Sequence, residues 1–324
     1  MNLDDYIDVA SEKLGGAAIL ANDEFFAPKE ALVKPTAAVW KEGEYTERGK
    51  WMDGWETRRR RTPGHDWCII RLGLPARIRA VVVDTAFFRG NYPEECSIDG
   101  CVVAGHDDLQ VIEQADWFSL LPRSPLQGDS KNLFEVKHDQ RATHLRLNIF
   151  PDGGVARFRA YALVLPDWAR LRTRSELDLA AVENGGIVVS CSDMFFGHRH
   201  NLIMPGAATH MGDGWETRRR RGSGHDWTIV KLGSRGAIAR AEVDTTHFKG
   251  NAPESCMLEV CDVTDALPAE NVNWVTVLPR TPLQPHTRHS FDLPPSAATH
   301  ARFSIFPDGG IGRLRLFGSV ADNR

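Results

Sequence analysis

The residues best suited to chemistry in this sequence sit in one block that occurs twice. DGWETRRRR runs from Asp53 to Arg61 and again from Asp213 to Arg221, each copy followed closely by GHDW. A guanidinium group holds a planar carboxylate through two parallel hydrogen bonds, a geometry lysine does not reproduce. Asp53 and Glu56, with Asp213 and Glu216, can accept hydrogen bonds from a ligand's N–H groups. His65 beside Asp66, and His225 beside Asp226, are the residue types of proton transfer. The expected chemistry is therefore small-anion binding coupled to acid–base work. In an extended chain the side chains alternate, so Glu56, Arg58 and Arg60 face one way and Trp55, Thr57, Arg59 and Arg61 the other. One site then uses at most Arg58 and Arg60, or Arg218 and Arg220. The plainer reading has Trp55 and Trp215 anchoring the segment while the arginines pair with surface acids.

Other duplicated segments surround this block. FPDGG recurs with Asp152 and Asp308 and reads first as a tight turn, its glycine supplying a positive φ; Asp308 is also a candidate ligand contact. GNYPEEC and GNAPESC are loops carrying Asn91 and Glu94, then Asn251 and Glu254. Between the halves Phe87 becomes His247 and Tyr92 becomes Ala252, giving the second half an extra titratable group and more room. That difference favours the second half as the catalytic one, with His225, Asp226 and His247 ahead of His65 and Asp66. Cys96/Cys101 and Cys256/Cys261 have a spacing that sends the thiols to opposite faces of a strand, so free buried thiols are expected. HRH at His198–His200 has no counterpart in the first half, and no HExxH occurs. No metal site is assigned, and a divalent ion such as Mn²⁺ has no ligand motif behind it. Dinucleotide, Walker and nucleophile-elbow motifs are missing too.

The elements holding these segments read as short strands. WCIIRLG, IRAVVVDT, HLRLNIF and their second-half partners WTIVKLG, ARAEVDT and HARFSIF are rich in branched residues and bounded by Gly, Pro, Asn and Asp. Strands without alternating helices argue for an all-β sandwich or jelly roll in each half. The halves are expected at residues 1–165 and 185–324, joined by a linker, 166–184, in which Ser175 caps a short helix through Leu177, Leu179, Ala180 and Val182. The first half carries extra residues around AVWKEGEYTERGKW. Across 324 residues, 39 basic groups face 43 acidic ones, too balanced for a nucleic-acid footprint. No apolar run reaches the roughly 18 residues of a bilayer span, and the acidic, polar start is unlike a secretory leader, so a cytoplasmic protein is expected.

DGWETRRRR with GHDW, DTAFFRGN with DTTHFKGN, FPDGG, and the doubled layout together resemble the allantoicase family over nearly the whole chain. The resemblance implies two jelly rolls like galactose-binding and discoidin modules, hydrolysis of allantoate to ureidoglycolate and urea, and a homo-oligomer. On that reading Arg58 or Arg60 (Arg218 or Arg220) binds the carboxylate. Asp53, Glu56, Asp213 and Glu216 accept from the ureido groups, Asn251 is a further substrate contact, and the His–Asp pairs move protons. The rival reading is a non-catalytic tandem module for a small anion or carbohydrate.

Overall fold

In the computed structural model, which describes residues 1–103, 108–263 and 272–321, the chain forms two all-β units, Met1–Leu165 and Pro166–Arg324. Each is organised by one long strand, Asp66–Asp84 in the first and Asp226–Asp244 in the second. The first half of Asp66–Asp84 pairs with Arg141–Phe150 and Ala17–Ala21; its second half pairs with Arg157–Val164 and Lys131–Glu135. The register with the Arg141–Phe150 strand jumps between Arg71 and Ala76, at Gly73–Pro75, so one strand serves both layers of a jelly roll. Ile69, Ile70, Ile78, Val81 and Val83 bury almost completely, which is what the branched runs require.

The six cysteines are free thiols. Burial pushes Cys96 and Cys256 up to about 12, so neither is a nucleophile near neutral pH. Cys101 packs in a buried cluster with Ile69, Val103 and Ile112.

The linker differs from expectation. Its helix is Trp168–Leu171, capped by Asp167 through the Arg170 amide; Ser175 caps nothing. Leu177–Asp178 is instead a strand on Phe317–Gly318, because burying Leu177 and Leu179 on one side has a period of two, not 3.6.

Candidate active site

Trp55 is fully buried and its indole N–H donates to the Asp23 carbonyl at 2.8 Å. Trp215 does the same with Asp193. This anchor fixes Glu56, which pairs through its backbone with Gly154 on one side and Ala27 on the other. The strand ends at Glu56, and beyond it the amides are caught one by one. Thr57 N–H donates to Gly153 O, Arg58 N–H to Asp23 Oδ1, and Arg60 N–H to Asp152 Oδ2. Repeat 2 catches Arg218 with Asp193 and Arg220 with Asp308. Asp152 and Asp308 therefore cap the arginine block. The double glycine after each lets the chains approach. A Cβ on Gly153 would lie 2.7 Å from Pro93 N, and one on Gly154 would lie 2.0 Å from the Phe88 ring.

In repeat 1 these segments enclose a cavity of about 760 Å³. All four arginines line it, with Glu56 and Asn91, so the strict alternation expected for an extended run does not hold past Thr57. Two of the four are already paired. Arg58 Nε sits 2.7 Å from Asp23 Oδ2, and Arg60 Nη1 2.5 Å from the buried Asp66 Oδ1. Arg59 and Arg61 are exposed at the cavity and have no carboxylate partner among the described residues. The Asn91 amide donates to Glu56 Oε1 at 2.6 Å. Burial pushes the Glu56 carboxyl above its ordinary value, against the opposing pull of that hydrogen bond.

Repeat 2 repeats the arrangement. Asn251 donates to Glu216 Oε1 at 2.6 Å, and Arg220 pairs with Asp226. Its Arg218–Asp193 contact is looser, at 3.8 Å.

Other expected site residues stand elsewhere. Asp53 does not line the cavity: its carboxylate accepts from Arg157 Nη2 at 2.7 Å and from the Val39 amide. Asp213 holds Arg313 likewise. The His–Asp couples do not form proton relays. Asp66 is occupied by Arg60 and Asn22, Asp226 by Arg220 and Ser192. His65 packs on Phe150 and His225 on Phe306, at ring separations of 4.7 and 4.6 Å. Burial, then the Arg220 and Arg302 charges, hold His225 below its ordinary value. His247 has φ 75 and directs Nε2 at the Ala208 carbonyl, 3.0 Å away, so its distinctive ring is tied to backbone. His198 and His200 pack ring to ring, and no group of three potential ligands converges on a metal among the described residues. Arg59 and Arg61 are the site residues that the alternation argument sets aside, while Asn91 lies in the duplicated loop already singled out. Their signal was the doubled GN loop and the preservation of all four arginines rather than two.

The allantoicase repeat family matches residues 7–165 and 177–321. A probable allantoicase from Pseudomonas aeruginosa is 47% identical over 97% of this chain and 96% of its own length. Allantoicase of Dictyostelium discoideum is 44% identical, over 98% and 88%. The crystal structure of allantoicase from Saccharomyces cerevisiae superposes with a TM-score of 0.85 at 34% identity, covering 97% of this chain and 93% of that one. With both repeats matched by the family and relatives this similar over nearly their whole length, the chain belongs to the allantoicase family.

Proposed function

We propose that the chain hydrolyses allantoate to ureidoglycolate and urea, and that the repeat 1 cavity is where it does so. The observation that carries the reading is the meeting of two uncommitted guanidiniums, Arg59 and Arg61, with a half-buried Glu56 in one cavity. Allantoate is a carboxylate whose α-carbon bears two ureido groups. Arg59 and Arg61 bind the carboxylate. Glu56, ionised, takes the N–H proton of one arm as the C–N bond to the other breaks, and passes that proton to the departing nitrogen. Urea leaves and a C=N bond remains. Water then adds to that carbon, Glu56 moving the water's proton to the retained nitrogen. Asn91 fixes one carboxylate oxygen and leaves the other to the substrate. Coupled detection of urea with allantoate as substrate tests the reaction; a folded protein that releases none, with or without added Mn²⁺, refutes it in favour of a binding module.

Preference for repeat 1 over repeat 2 rests on enclosure. Phe25 and Phe26 on the rim are 39% and 37% exposed, whereas Phe195 and Phe196 are 58% and 61% exposed. We include a homo-oligomer in the reading, supported by that open apolar pair, and a cytoplasmic setting, supported by the free thiols. No described helix is long and apolar enough to cross a membrane.

Two expected results arise here. Arg59→Ala raises KM for allantoate by about 10–100-fold, the worth of a hydrogen-bonded charge pair, with Arg59→Lys recovering only part; steady-state kinetics read this directly. Glu56 works ionised and its carboxyl is raised, so kcat/KM falls as pH drops through a value above the ordinary carboxylate range. The Asn91 hydrogen bond favours the ionised form. Asn91→Ala therefore moves that acid limb to higher pH, and a limb that stays put in the pH profile assigns it to another group.

A further inference from the structure

Residues that repeat 1 has and repeat 2 lacks build a second chamber against the first. The extra segment forms the hairpin Tyr45–Thr46/Gly49–Lys50 and places Trp40 with its ring 5.8 Å from that of Phe87. Arg48 straps the hairpin to the cavity rim by donating to the Phe25 carbonyl at 3.0 Å. Trp40, Glu42, Lys50, Phe87 and Arg89 line a space of about 500 Å³. A smaller space of about 300 Å³ shares Trp40 and Phe87 with it, and shares Glu56 and Asn91 with the main cavity. The half-buried carboxylate therefore stands on the wall between the anion end and the aromatic end.

The aromatic end has a specific chemistry. The Trp40 and Phe87 rings, tilted by 35°, pack on each other and line the space together, Lys50 Nζ lies 4.1 Å from the Trp40 ring centre, and Glu42 accepts from the Trp40 indole at 2.7 Å. A ureido group is flat, donates through N–H and accepts through one carbonyl. It stacks on an aromatic face while Glu42 accepts from its N–H and Lys50 or Arg89 donates to its oxygen. In repeat 2 the residue in place of Phe87 is His247, turned onto the Ala208 carbonyl.

The geometry points to the Trp40–Phe87 chamber as a specificity subsite for one ureido arm, so that repeat 1 selects a carbon bearing two ureido groups. The inference rests on the proposed function, which wild-type urea release tests separately. In active wild-type protein, N-methylurea (a ureido group without a carboxylate) and glycolate (a carboxylate without a ureido group) are compared as inhibitors. Trp40→Ala raises KM for allantoate and weakens N-methylurea inhibition, each about tenfold, with kcat within roughly threefold and glycolate inhibition unchanged; Trp40→Phe, which keeps a stacking face, restores both. Trp40 is 39% exposed, so the fold does not depend on it. An unchanged KM, or inhibition by both probes weakening together, overturns the assignment.

Discussion

Replacing Glu56 by Gln is expected to cut kcat for urea release by about 10³-fold, within the range spanned by losing a positioned acid–base group, while KM moves little. Gln keeps the size and the hydrogen bond with Asn91, so binding and fold persist and only proton transfer is lost. Glu216→Gln is the matched control. It removes the same carboxylate from repeat 2, where Asn251 holds it at the same 2.6 Å. With the working site in repeat 1, Glu216→Gln retains near-wild-type turnover. If each single variant keeps about half the activity, both repeats work; if only Glu216→Gln fails, the site is in repeat 2 and the enclosure argument is wrong. Turnover numbers on the two purified variants separate these cases, because the two carboxylates are equivalent in all but their surroundings.

The duplication and the all-β architecture were legible because they are local or self-referential properties. Strand runs such as IRAVVVDT carry their own pattern, and a repeat is found by comparing the chain with itself. Trp55 as an anchor was legible for the same reason: a large apolar side chain inside a charged run must go somewhere dry. The division of labour among the arginines was not. Arg58 is neutralised by Asp23, 35 residues away, and Asp53 by Arg157, 104 residues away. Alternation within DGWETRRRR separates Arg58 and Arg60 from Arg59 and Arg61, but nothing in the block says which set is spoken for. Only the fold brings Asp23 and Asp66 to Arg58 and Arg60, leaving Arg59 and Arg61 for a ligand. His65 and Asp66 illustrate the converse. They are neighbours in sequence, yet the ring goes to Phe150 and the carboxylate to Arg60. The linker failed on period, since two branched residues two apart fit a strand edge as well as a helix turn.

The pair that moved furthest from its expected role gives the second large effect. Arg157 is 1% exposed and its guanidinium also donates to the carbonyls of Thr36, Asp53 and Ala156, so it ties the root of the inserted segment to the base of the arginine block. Asp53→Ala leaves that charge buried without its carboxylate. The expected cost is about 3–5 kcal/mol, seen as a lower calorimetric transition for repeat 1. Burial alone would raise the Asp53 carboxyl, but Arg157, the Val39 amide and Lys34 more than offset it and hold it below its ordinary 3.8. A depressed carboxylate contributes stability that is fully present above 3.8 and is lost as pH falls through its lowered value. Wild-type protein therefore loses in that acid window an increment that Asp53→Ala does not have to lose. The folded variant keeps its kcat, because Asp53 does not line the cavity that holds Glu56, Arg59 and Arg61; loosening of the Val39 amide beside Trp40 shows only in KM. Were Asp53 a ureido acceptor instead, the transition would hold and kcat would fall. Calorimetry and kinetics on one variant thus decide between a residue that holds the site together and one that holds the substrate.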